Sequence, residues 1–113
     1  MRAFTDLRSV PTWVHDAADT LLKLLSESVP GGVYHANNSG DTTWYEFACE
    51  ALERAQVSGA VEPTRIVDID LPARRPSYSV LDVTATERVV GTTRDWKDAL
   101  AAAIEVGLWY DFR

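Results

Sequence analysis

The feature that most limits the possible folds of this chain is helical periodicity, which occurs in short segments with clear end signals. Between Val14 and Ser26, apolar residues recur at the i, i+3, i+4, i+7 spacing of an amphipathic helix. Pro30-Gly31-Gly32 then interrupts the pattern. This face comprises Val14, Ala17, Ala18, Leu21, Leu24 and Leu25.

Three further helices are indicated by their end signals. The first runs from Trp44 to Ala55, where Thr43 and Glu46 have the spacing of a capping box. A short helix over Val83–Val89 follows Asp82, a candidate cap, and ends at Gly91. The last covers Asp95–Val106 and is closed by Gly107.

The predicted strands are few and short. Arg2–Thr5, Val33–Ala36 and Arg65–Ile69 are expected to be strands, with Asn37–Asp41 as a turn. The segment Ala73–Leu81 is expected to be extended, because Pro76 disfavours a helical Arg75. Such strands cannot make a self-sufficient sheet. We therefore expect one mixed α/β domain, residues 1–113, with about four helices.

Composition excludes several classes of protein. The net charge of −6 leaves no basic stripe for a nucleic-acid backbone, and no apolar run reaches the ~18 residues that span a bilayer. The N-terminus lacks a leader-like apolar region, so we expect a cytoplasmic protein. Cys49 is the only cysteine, which rules out an intrachain disulfide. No His, Cys, Asp and Glu cluster has metal-ligand spacing, so no metal is predicted.

Five short motifs together resemble a known family. They are Pro11-Thr12 with Asp16-Ala17-Ala18, Gly32–His35, Thr43–Ala48, Ala73–Asp82 and Trp96–Leu100. Their order and spacing resemble the C-terminal, substrate-binding region of dTDP-4-dehydrorhamnose reductases, which are extended short-chain dehydrogenases. The resemblance implies a lobe that closes over the substrate and adds to the edge of a larger sheet. Without that sheet, apolar faces are expected to be exposed and to favour association.

The chain departs from the whole reductase in three respects. Ser9-Val10 replaces the family's Gly-Ser, and no Gly-x-x-Gly-x-x-Gly turn is present to bind a dinucleotide. The Tyr-x-x-x-Lys pair is also absent, since Asp19 precedes Lys23 and Thr93 precedes Lys97 at that spacing. We therefore predict no cofactor in this chain and no self-sufficient reductase. NADPH-dependent reduction would require a cofactor-binding partner subunit.

The segment Arg74-Arg75-Pro76 is the predicted ligand-binding segment. Two guanidinium groups can bind a diphosphate through paired hydrogen bonds, and Pro76 stiffens the chain. The resemblance places this segment on the sugar-nucleotide side of the family's site. Tyr78, Trp13 and Trp44 are further substrate-binding candidates, although tryptophans are more often core residues. Alternatively, Arg75 pairs with Asp82 or Asp16 and only fixes an extended strand.

Three hypotheses for function follow. The leading one is a binding or accessory protein for a sugar nucleotide such as a dTDP-sugar. The second is a cofactor-independent isomerase, cyclase or lyase with a closed pocket and acid–base groups drawn from His35, Tyr34, Tyr78, Glu46 and Asp41. The third is a homo-oligomeric interaction module that associates through the aromatic tail from Leu108 to Phe112.

Overall fold

The computed structural model describes residues 1–107 and shows the predicted mixed α/β fold with four helices. Two small two-stranded sheets accompany the helices. In chain order the elements are β1 (Arg2–Phe4), β2 (Arg8–Ser9), α1 (Val14–Ser26), β3 (Thr42–Thr43), α2 (Trp44–Arg54), β4 (Glu62–Thr64), a 3-10 turn (Ile66–Asp68), α3 (Thr84–Val90) and α4 (Trp96–Glu105). The tail from Leu108 to Phe112 lies outside the described residues.

The two sheets differ in direction. β1 and β4 are parallel, with Ala3 opposite Pro63, whereas β2 and β3 are antiparallel, with Arg8 opposite Thr43. Pro63 is tolerated because a two-stranded sheet consists only of edge strands. Of the predicted strands, the first is confirmed as β1, while β2, β3 and β4 lie outside the predicted strands.

Two predicted strands are wrong. Residues 33–36 have no strand partner; instead the His35 carbonyl accepts a hydrogen bond from the Thr86 hydroxyl at 2.8 Å. Within Arg65–Ile69 the chain forms the 3-10 turn, and Ile66 N donates to the Asp6 carboxylate at 3.0 Å. In both segments, side-chain hydrogen bonds occupy backbone groups that a ladder would have used.

The helices agree closely with their sequence signals. α1 has the predicted bounds, and the capping box of α2 is present. Thr43 Oγ1 accepts from Glu46 N at 3.1 Å, and Glu46 Oε2 accepts from Thr43 N at 2.9 Å. Asp82 accepts hydrogen bonds from the Thr84 amide and hydroxyl, so α3 begins at Thr84, one residue later than predicted.

The fully buried part of the described chain is small. Its apolar members are Leu7, Leu24, Trp96 and Ala99. A buried polar residue, Asn38, connects three segments: its Oδ1 accepts from Trp13 N at 2.8 Å, while its Nδ2 donates to Asp16 Oδ2 at 2.7 Å and to the Arg94 carbonyl at 3.1 Å. The start of α1 is thereby tied to the loop that precedes α4.

The apolar face predicted for α1 is mostly exposed. Leu24 is its only buried residue, whereas Val14, Leu21 and Leu25 are 69%, 51% and 82% exposed. Exposed apolar faces of this kind are what the resemblance to part of a larger reductase implies. Among residues 1–107, no helix has the length and apolar content that would be needed to cross a bilayer.

Candidate ligand-binding site

The segment around Tyr78 is attached to β2 through the backbone of Arg8. Arg8 N donates to the Ser77 carbonyl at 2.8 Å, and Ser79 N donates to the Arg8 carbonyl at 3.0 Å. The Ser79 hydroxyl donates to the same carbonyl at 3.2 Å. Tyr78 therefore lies parallel to Arg8 as a short continuation of the β2–β3 sheet.

The side chain of Arg8 forms an ion pair across the same sheet. Its Nε donates to Asp41 Oδ2, which lies just before β3. This hydrogen bond lowers the pKa of Asp41 and raises the pKa of Arg8. Both side chains are well exposed, at 42% and 38%, so the pair contributes little to overall stability. Its importance is geometric, because it links the 37–41 loop to β2.

Between the 37–41 loop and the 78–83 segment lies a solvent-open cleft of about 290 Å³. Polar and apolar groups both line it, among them Val10, Asn37, Asp41, Tyr78, Leu81 and Asp82. Two predicted site residues, Asp41 and Tyr78, thus meet at one surface. The closed pocket expected of a cofactor-independent enzyme is not what this cleft provides.

The side chains of the other three acid–base candidates do not line the cleft and are engaged in structural hydrogen bonds. His35 Nδ1 lies 2.9 Å from the carbonyl oxygen of Asp82, a residue that lines the cleft. The Tyr34 hydroxyl donates to the Pro30 carbonyl at 2.8 Å. The Glu46 carboxylate caps α2, and the amide of Thr43 is the first cause of its lowered pKa.

Arg74 and Arg75 are exposed, and within residues 1–107 neither forms an ion pair. The carboxylates considered as partners of Arg75 are occupied by other groups. Asp16 lies 3.3 Å from Arg94 Nη1, and Asp82 accepts from Thr84 N at 2.8 Å. Neither carboxylate fixes the arginine segment.

The two tryptophan candidates lie away from the cleft. Trp13 stacks beneath the Arg94 guanidinium, whose Cζ is 5.6 Å from the ring centroid. Trp44 makes an edge-to-face contact with Phe47, with centroids 6.2 Å apart. Neither ring lines the cleft that contains Tyr78. Sequence reasoning missed Arg8, since nothing in its local pattern indicated that its partner would be Asp41.

The described residues do not fit a dinucleotide. Glycines with positive φ are Gly40, before β3, and Gly91 and Gly107, which follow helices α3 and α4. None joins the end of a strand to the start of a helix, as a pyrophosphate-binding turn requires. In the same part of the chain, no group of three His, Cys, Asp or Glu residues could hold a metal ion.

This arrangement of four helices and two small sheets also occurs in solved nucleotide-sugar reductases. It superimposes on the crystal structure of a dTDP-4-dehydrorhamnose reductase from Clostridium acetobutylicum ATCC 824 with a TM-score of 0.86 and 31% sequence identity. The match covers 94% of this chain and 38% of that one. Residues 1–108 match the model of the RmlD substrate binding domain, and the chain belongs to that family.

Two curated relatives show the same relation. A dTDP-4-dehydrorhamnose reductase of Streptomyces griseus is 39% identical over 101 residues, which cover 84% of this chain and 33% of that protein. The spore coat polysaccharide biosynthesis protein SpsK of Bacillus subtilis (strain 168) is 35% identical over 100 residues, covering 88% and 35%. The chain spans about a third of the length of these relatives.

Proposed function

We propose that this chain is a sugar-nucleotide-binding lobe, and that the redox cofactor of any associated reductase is bound by residues outside these 113. Membership of the RmlD substrate binding domain family supports the first part. Relatives named dTDP-4-dehydrorhamnose reductase indicate a dTDP-linked sugar as the ligand. The lack of a fitting dinucleotide turn in residues 1–107 supports the second part.

The exposed arginine pair is the observation that carries the proposal. Arg74 and Arg75 are adjacent in a chain of net charge −6, and their guanidinium groups form no ion pair within the described residues. Two planar guanidinium groups that are free to bind a diphosphate can donate directional, charge-assisted hydrogen bonds to it. Pro76 limits the conformations that the segment loses on binding.

The cleft beside Tyr78 provides a place for the rest of the ligand. An extended chain covers at most about 10 Å over the three residues from Arg75 to Tyr78. A ligand whose diphosphate contacts Arg75 would therefore reach the cleft with its next group. There Asn37 and Asp82 offer hydrogen-bonding groups suited to hydroxyls, and Tyr78 offers an aromatic ring.

Isothermal titration with dTDP tests the proposal. Replacing both arginines (Arg74→Ala with Arg75→Ala) removes charge-assisted hydrogen bonds, so we expect dTDP to bind roughly tenfold to hundredfold more weakly. Arg54→Ala is the matched control, because Arg54 is paired with Glu50 on α2, away from the cleft. Absence of binding at millimolar dTDP by a folded wild-type sample would reject the ligand. NADPH oxidation by the chain alone with a 4-keto sugar nucleotide would contradict the placement of the cofactor.

A further inference from the structure

We propose that Arg8 and Asp41 form a positioning pair, which holds the Arg74–Ser79 segment in the conformation that binds the sugar nucleotide. The inference rests on the proposed function and extends it to two residues that do not themselves contact the diphosphate. The pair joins two elements that are 33 residues apart in sequence. Its role follows from three features of the structure.

First, the ligand segment depends on Arg8 for its attachment. Among residues 1–107, the hydrogen bonds of Ser77 and Ser79 to the backbone of Arg8 are the ones that attach residues 73–79 to the rest of the fold. Every residue from Ala73 to Ser79 is exposed, so little apolar burial assists them. Segments with exposed hydrogen bonds and few buried contacts open readily. The orientation of Arg8 therefore governs the orientation of Arg74 and Arg75.

Second, Asp41 belongs to a loop that is fixed to α4. Ser39 N donates to the Arg94 carbonyl at 2.8 Å, and Trp96 N donates to the Ser39 carbonyl at 3.0 Å. Gly40 has φ +76°, and a Cβ there would lie 2.5 Å from Asp95 Oδ2. The loop thus has little freedom, and Asp41 offers a carboxylate at a defined position.

Third, β2 is too short to fix Arg8 through its own ladder. It consists of two residues paired with two residues of β3. The ion pair adds a side-chain connection between β2 and the residue that precedes β3, beside the ladder. The ion pair thereby completes a series of contacts that runs from α4 through Asp41 and Arg8 to the arginine segment.

Amide hydrogen exchange measures the positioning without any ligand. In Asp41→Ala we expect the amides of Arg8 and Ser79 to exchange several-fold faster, while the amide of Ala99 in α4 is unchanged. Glu50→Gln is the control, because it removes the charge from a carboxylate that forms ion pairs with Arg54 and Lys97, away from the cleft. Equal acceleration at Ala99 would show general destabilisation and would overturn the positioning role, as would unchanged exchange at Ser79.

Titration with dTDP then connects positioning to binding. We expect Asp41→Ala to weaken dTDP binding about threefold to tenfold, Asp41→Glu to restore part of the affinity, and Glu50→Gln to bind like wild type. If the double arginine variant binds weakly but Asp41→Ala binds like wild type, the positioning pair is rejected and the proposed function stands. If the wild type does not bind, or the arginine variant binds equally well, the proposed function and the ligand-binding role of the pair both fail, and exchange at Ser79 alone decides whether the pair orders the segment.

Discussion

Helices α1 and α4 have amphipathic sequences of the same kind but different surroundings. α4 buries Trp96 and Ala99, which are 5% and 2% exposed. α1 buries only Leu24, at 8%, and leaves Val14, Leu21, Leu22 and Leu25 between 51% and 82% exposed. An apolar stripe therefore identifies the face of a helix that can be buried, but it does not show that the partner lies in the same stretch of chain.

The two helices are also held by different interactions. Trp96 of α4 packs on Phe47 of α2, with ring centroids 5.8 Å apart. The start of α1 is held by hydrogen bonds, since Asn38 contacts both Trp13 N and the Asp16 carboxylate. The start of α4 is thus anchored by apolar packing in addition to hydrogen bonds, whereas the start of α1 is anchored by a buried amide. Substitutions at these anchors test the distinction.

Trp96→Ala should have the largest effect on stability. Truncating a buried tryptophan leaves a cavity and typically costs about 3–5 kcal/mol of the free energy of unfolding. Urea denaturation followed by circular dichroism measures the loss. Trp44→Ala is the matched control, because Trp44 is 47% exposed and should cost much less. Equal losses for the two tryptophans would show that α4 does not carry the apolar core.

Asn38→Ala should have the next largest effect. It leaves Trp13 N without its partner and removes one of the two donors to the Arg94 carbonyl; a buried unsatisfied group costs roughly 1–3 kcal/mol, and the lost hydrogen bonds add to this. We expect the free energy of unfolding to fall by about 2–3 kcal/mol in the same assay. Asn37→Ala is the control, since the Asn37 side chain makes one hydrogen bond, to the Asn38 carbonyl. A loss no greater than that of the control would disprove the anchoring role of Asn38.

Local signals were sufficient for the helices and insufficient for the site. The bounds of α1 and the capping box at Thr43 follow from residues within one or two turns of each other. Strands require a partner, and the failed prediction at residues 33–36 shows that an extended-looking segment can lack one. The carboxylate of Asp41 makes it an acid–base candidate, but its partner Arg8 lies 33 residues away and no local pattern connects the two. The extended form of Ala73–Leu81 was predicted from Pro76, whereas its attachment to β2 became visible only in three dimensions.

The smallest change in stability is expected on the exposed face of α1. Leu21→Gln and Leu25→Gln replace side chains that are 51% and 82% exposed, so each should alter the free energy of unfolding by no more than about 0.5 kcal/mol. Self-association measured by light scattering should nevertheless decrease, because the contiguous apolar surface becomes smaller. Leu24→Gln is the matched control, since it places an amide at a buried position of the same helix and should destabilise the fold strongly. If Leu25→Gln destabilised the chain as much as Leu24→Gln, the face would have to be covered in the isolated protein, and the contrast between α1 and α4 would not hold.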